Sequence, residues 1–166
     1  MTFAPPTEPF RLQACNAFFA GWSQRLLRPA PRMNAGTAPA TSDAQILVVD
    51  GQSSVRQQIR DLLVQAGFNR MSEACDAGQA LRMLNVRPMD VVLCAYEMPD
   101  GDGLELLRAI RGQEPPSHTG FILLTGDADR ALVGRAVRCG VNHFLVKPFT
   151  AERLKRKIED VMGAAA

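Results

Sequence analysis

Residues 91–103 read VVLCAYEMPDGDG, and the fold follows from how that run divides. Val91, Val92, Leu93 and Cys94 form a short apolar block, the pattern of a strand buried on both faces. Pro99, Gly101 and Gly103 keep the chain from continuing as strand or helix, so the run predicts a strand opening into a loop. In α/β proteins such strand ends open into the crevice where ligands bind. The residue at this end is Ala95, and a methyl group carries no chemistry.

Working outward, the same pattern recurs. Residues 46–49 (ILVV) predict a strand ending at Asp50, broken by Gly51. Ser53 or Ser54 is then expected to cap a helix through Val64, with Val55, Ile59, Leu62 and Leu63 on one face and Gly67 at its end. Residues 71–74 form a weak strand. Residues 76–84 predict a helix with Ala77, Ala80, Leu81 and Leu84 inward. After the central run come a helix over 104–110, a surface loop over 112–119, and a strand over 121–124 that ends at Thr125. A helix over 130–139 is stopped by Gly140; a strand over 143–146 stops at Lys147 and Pro148. Thr150 caps a last helix to about Met162, with Leu154, Ile158 and Val161 aligned. Strand followed by helix, five times, means a parallel sheet covered on both sides. The strand ends then gather Asp50, Ala95, Thr125 and Lys147 around one crevice.

Composition bounds the class. The 166 residues suffice for one domain and a tail, and 46% apolar content excludes a disordered chain. A net charge of +2 gives no reason to expect nucleic acid or a membrane surface as partner. Cys15, Cys75, Cys94 and Cys139 fall in no metal-binding or disulfide spacing, so free thiols in a reducing cytoplasm are expected. The sequence has no run of eighteen apolar residues and no basic-then-apolar leader, so neither a membrane span nor a secretory signal is expected.

The N-terminal part differs in kind. Leu12, Cys15, Phe19, Trp22 and Leu26 share one helical face, and Pro29 ends the pattern. We assign 1–28 as an amphipathic helix, 29–44 as a flexible linker and 45–163 as the folded domain. Gly21 costs the isolated helix about 1 kcal/mol, so it needs a surface: its own domain, a second copy in a dimer, a partner protein or a membrane. As a coil the linker spans about 20 Å. Met33 is an alternative start that would leave 1–32 outside the protein.

Four pieces, ILVVD (46–50), MPDGDGLELL (98–107), ILLTG (122–126) and LVKPF (145–149), together resemble the response-regulator receiver (CheY-like) domain of two-component signalling. The resemblance covers about seven tenths of the chain. It implies a flavodoxin-like, doubly wound, five-stranded parallel sheet of order 2-1-3-4-5, here with an extra N-terminal helix. No output domain is expected beyond Met162, as in stand-alone receivers that act by binding partners.

In that family an aspartate at the end of the third strand accepts a phosphoryl group. Acidic residues after the first strand, the acceptor and a backbone carbonyl hold Mg²⁺. A threonine and a lysine meet the phosphoryl group. Carried onto this chain, the first acidic position is Asp50, the second is Gly51, the acceptor position is Ala95 and the carbonyl position is Glu97. Thr125 and Lys147 are intact, Pro148 is expected to follow a cis bond, and Phe144 stands at the family's switch aromatic. Two of three acidic groups are absent, the nucleophile among them. The chain therefore reads as a pseudo-receiver with no catalytic residue and no cofactor, and with weak or absent Mg²⁺ binding, Asp50 being the remaining ligand. Because Gly51 departs as well as Ala95, natural degeneracy is favoured over an engineered single substitution.

Lys147 is expected to pair with Asp50, or with Glu97 folding back. Glu97 as a substitute acceptor is disfavoured, since its side chain should run along the loop. His118 and His143 are expected to be solvated. Arg130, Arg135, Arg138, Arg153, Lys155, Arg156 and Lys157 form a basic face, more readily a solvated one than a site for an acidic partner or a nucleotide. The favoured function is a cytoplasmic binding module, not an enzyme, for a signalling or motility protein, with a histidine kinase or phosphotransfer protein among the candidates. Its face is the last helix, strand and helix. The alternatives are a phosphorylatable regulator whose acceptor has been replaced by Ala95, and a flavin or nucleotide binder. The loop over 50–54 lacks the phosphate cradle that the last would need.

Overall fold

The computed structural model describes residues 43–113, 117–127 and 129–164. The assigned helix over 1–28, its dimer contact, the linker over 29–42 and Cys15 lie outside the described residues. Ala44, placed at the end of the linker, is fully buried, so the packed domain includes it.

The central strands form because their apolar runs have both faces to bury. β1 (Ile46–Val49), β3 (Val91–Ala95) and β6 (Gly120–Thr125) are buried throughout. The more polar β2 (Met71–Ala74) and β7 (His143–Val146) are confined to the edges. The sheet runs β2-β1-β3-β6-β7 with every pairing parallel, which over these five strands is the order 2-1-3-4-5.

Alternation along the strands splits the core in two. Leu47, Val49, Val92, Cys94, Phe121 and Leu123 face α2 (Ala77–Val86), α3 (Gly103–Arg111) and α4 (Arg130–Arg138). Ile46, Val48, Leu93, Ile122 and Leu124 face α1 (Ser53–Gln65) and α5 (Ala151–Ala164). Each fully buried Leu or Ile contributes about 1.5–3 kcal/mol. A one-residue slip in a central strand would exchange its two faces, so the register is firmly held.

The helix caps correct the sequence reading in places. Neither Ser53 nor Ser54 caps α1. Gln52 is its N-cap and makes no side-chain cap bond, and its backbone N–H donates to Asp50 Oδ1 at 2.9 Å. α2 begins after Asp76, whose Oδ1 accepts from Gln79 N at 2.6 Å, and runs two residues past Leu84. Asp102 caps α3 by accepting from Leu104 and Glu105, both at 2.9 Å. Thr150 Oγ1 accepts from Arg153 N at 3.3 Å at the head of α5. α1 ends at Gly67, whose φ of 92° lets Phe68 N return to Leu63 O at 2.9 Å.

The stretch after β3 is more ordered than a plain loop. β4 (Glu97–Met98) and β5 (Gly101–Asp102) pair antiparallel, with Pro99 and Asp100 as the turn. The run Met-Pro-Asp-Gly carries this turn chemistry: proline presets φ and glycine takes the left-handed conformation, at φ 149°.

Asp76→Ala should lower the unfolding free energy at neutral pH by about 0.5–1 kcal/mol, because the carboxyl is only partly buried and solvent screens it. The Gln79 N–H bond holds the Asp76 carboxyl below the usual carboxylate range, against a smaller opposing effect of burial. Its contribution is therefore full above that range and is lost as pH falls through the lowered folded-state value. Urea denaturation should show the gap between the two proteins closing in acid; a gap unchanged there would contradict the cap.

Candidate functional site

Register builds the site. Val49 lies beside Cys94, so the next residues, Asp50 and Ala95, are level. Ala95 lies beside Leu124, and Thr125 beside Val146, which sets Lys147 just beyond. Lys147 N donates to Thr125 O at 2.8 Å, and the Lys147–Pro148 bond is cis.

The polar groups of this crevice are engaged with one another. Asp50, 3% exposed, accepts from Lys147 Nζ through Oδ2 at 3.1 Å and from Gln52 N through Oδ1. Of the two partners foreseen for Lys147 it is Asp50 that the amine meets. Thr125, also buried, donates through Oγ1 to Asp127 O at 2.5 Å and accepts from Asp127 N at 3.2 Å. Its hydroxyl is spent inside its own loop. Arg56 Nη1 donates to Asp50 O at 2.8 Å while Nε reaches Glu73 Oε2 at 3.2 Å, pinning the loop after β1. One buried carboxylate and one ammonium leave the crevice neutral.

Ala95 is buried at the end of β3 and offers no nucleophile. Glu97 stands exposed on the hairpin. The neighbouring Cys94 thiol is pushed up by burial and, less strongly, by Asp50, Asp100 and Asp102, so it remains protonated and inert. Gly51 packs against Pro99: a Cβ placed on Gly51 would lie 2.5 Å from Pro99 Cδ and 2.6 Å from Pro99 Cγ. Among the described residues, no group of three or more His, Cys, Asp or Glu side chains is placed to hold a metal.

Two features escaped the sequence. Tyr96, beside Ala95, accepts through its hydroxyl from Arg135 Nη2 at 2.8 Å, with the guanidinium 5.7 Å from the ring centre. This ties the β3 loop to α4. The Gly51–Pro99 packing was equally hidden, because nothing local to either residue signals the other.

The remaining candidates are dispersed. Phe144 is 38% exposed, beside an apolar hollow lined by Leu123, Leu132, Val133 and Ala136. His143 is partly buried rather than fully solvated, with Nδ1 3.4 Å from Lys157 Nζ; burial first, then Lys157, lowers its pKa. Arg135 is the member of the basic set engaged by Tyr96, and Lys155 pairs with Glu159 at 3.9 Å. Cys75, Cys94 and Cys139 are free thiols. Among the described residues no helix is long and apolar enough to cross a membrane.

A doubly wound parallel sheet with Asp50, Thr125 and Lys147 at the C-terminal strand ends defines a flavodoxin-like domain with the crevice layout of a receiver. A profile of the family described as "Response regulator receiver domain" matches residues 46–159. The chain is 39% identical over 120 residues to the probable chemotaxis protein CheY of Rhizobium etli, covering 72% of this chain and 93% of that protein. It is 40% identical over 117 residues to the chemotaxis protein CheY of Pseudomonas aeruginosa, covering 70% and 94%. Among solved structures it is similar to Vibrio cholerae chemotaxis protein CheY4, with TM-score 0.67, 29% identity and coverage of 72% and 98%. A receiver domain protein from Clostridium thermocellum gives TM-score 0.65, 33% identity and coverage of 73% and 95%. The chain belongs to the response-regulator receiver domain family.

Lys147→Met should destabilise the fold by about 1–3 kcal/mol by leaving the buried Asp50 carboxylate with one backbone donor. The figure is moderated because the Lys147 side chain is one-third exposed. Asp50→Asn combined with Lys147→Met should cost less than the sum of the two single changes, by at least 0.5 kcal/mol in denaturant titrations. Strict additivity would mean that the pair is energetically idle.

Proposed function

We propose that this receiver-family signalling domain of a two-component or phosphorelay system acts through protein contacts, in the cytoplasm, without a phosphoryl group of its own. The observation that carries this reading is the crevice: a methyl at Ala95, with Asp50, Lys147 and Thr125 each satisfied by protein partners. An acyl phosphate needs a carboxylate nucleophile, and alanine supplies none. A neutral ion pair attracts neither Mg²⁺ nor a phosphate strongly, so on this reading the domain takes no cofactor and is not an enzyme.

The contact face we favour is α4, β7 and α5. Val137, 63% exposed, and Phe144 provide apolar anchors there, within the basic set that includes Arg138 and Lys157. Aromatic anchors inside a polar rim are the usual source of interface energy. The partner is a signalling or motility protein; relatives named as chemotaxis proteins favour motility, with a histidine kinase or phosphotransfer protein as the alternative. Dimerisation through the assigned N-terminal helix belongs to the same proposal.

Incubation of the full chain with acetyl phosphate and Mg²⁺ should leave its intact mass unchanged. Gain of one phosphoryl group would establish the alternative, a phosphorylatable regulator. Phe144→Ala should weaken partner capture about tenfold, to the same extent with and without acetyl phosphate.

A further inference from the structure

At the opposite end of the sheet from the Asp50–Lys147 crevice lies a second hollow, of about 260 Å³, bounded by Arg111, Ser117, His118, Gly140, Asn142 and Val161. Chain order puts it there: Arg111 is the last residue of α3, Gly140 follows α4, and Asn142 immediately precedes β7. We propose that this hollow binds a small di- or tricarboxylate, held by Arg111 and Asn142 with His118 at the rim. The site is independent of the crevice and of any phosphoryl group there.

Charge is the first support. Arg111 is half-buried and bonds only neutral acceptors. Its Nη1 donates to Thr119 O at 2.8 Å and Ser117 O at 3.3 Å, its Nε to Gly140 O at 3.4 Å, and its Nη2 to Asn142 Oδ1 at 2.9 Å. Among the described residues no carboxylate forms a salt bridge with it, and none of those lining the hollow is acidic. Asp90, whose carbonyl accepts from Gly120 N nearby, turns its carboxylate to Gln45 N at 2.7 Å. Burial lowers the Arg111 pKa. A guanidinium stays charged in proteins all the same, so the hollow carries a positive charge with no protein anion against it.

Donor inventory is the second. A guanidinium has five N–H groups, and the bonds above leave one of those on Nη2. Asn142 Oδ1 accepts from Phe121 N at 2.8 Å as well as from Arg111, so the amide oxygen is spent. Its Nδ2 donates to no described residue. The open N–H groups of Arg111 and Asn142 thus sit on two planar groups already in contact. A carboxylate, planar with two acceptor oxygens, can take a bond from each. His118 is exposed and brings a ring nitrogen to a second carboxylate. Ser117 adds no donor, because its hydroxyl is turned to Thr119 Oγ1 at 3.0 Å.

Size is the third. At about 30 Å³ per water, the hollow has the volume of about nine waters. That suits a di- or tricarboxylate, is too small to enclose a nucleotide, and would be left largely empty by inorganic phosphate.

The test is calorimetric titration of the full chain with citrate, succinate and inorganic phosphate, each at constant ionic strength. Thermal midpoints alone do not serve, because excluded anions stabilise folds without occupying a site. Citrate and succinate should each bind one to one, about tenfold or more tighter than phosphate. Asn142→Asp keeps an acceptor for Phe121 and Arg111 but replaces the donor with a negative oxygen, and should weaken citrate about tenfold or more. His118→Ala, at an exposed position, should weaken citrate about threefold and leave the stability of the unliganded chain unchanged. Absence of citrate and succinate binding, phosphate binding as tight as citrate, or citrate binding unaltered in both variants would each overturn the proposal.

Discussion

Lys147 and Asp50 meet because parallel register brings the C-terminal ends of β1 and β7 level although two strands separate them. Their 3.1 Å contact decides what the crevice can hold. In the receiver arrangement that this chain resembles, three acidic groups face one lysine, and a divalent cation balances the excess. Here a single carboxylate faces a single ammonium. The pair is neutral, so a cation entering it must break an ion pair and supply its own ligands. Losing both acidic groups leaves a balanced crevice, whereas losing one would leave an unpaired buried charge, which is costly.

The fold was legible because it depends on local pattern. ILVV, VVLC and FILL can only be buried runs, and Gly67 and Gly140 mark helix ends through conformations that favour glycine. The edge strand MSEA gave a weaker signal for a physical reason: one side of an edge strand lacks a neighbour, so its residues need not be apolar. The cap of α1 was misread because serine is a good capping residue in isolation. Here the helix starts one residue earlier, so Ser53 and Ser54 lie inside its first turn and Gln52 occupies the cap position. The hairpin after β3 was written in Met-Pro-Asp-Gly but appeared as a break rather than a turn.

The site was half legible. Asp50, Ala95, Thr125 and Lys147 all fall at strand ends, and strand ends can be located from sequence. What each polar group then bonds to depends on atoms far away in the chain. Arg135 reaches Tyr96 across 39 residues, and the bond between Lys147 and Asp50 spans 97. Pro99 against Gly51 is the clearest case, since a glycine in a loop looks like flexibility until the neighbour that needs its missing side chain is in view.

These contacts bear on how such a domain could signal. A ligand shifts a conformational equilibrium only by its differential affinity for the two states. On the reading proposed here, the crevice supplies almost no such difference. Thr125 is already satisfied by Asp127, and Lys147 by Asp50. The Tyr96–Arg135 contact links the crevice loop to α4. On that proposal the free-energy difference has to be supplied at the other end, by a partner docking on the face that carries Val137 and Phe144. The direction of control in this proposal is reversed relative to a phosphorylated receiver: the partner would select the conformation of the face, and the crevice would serve as its support.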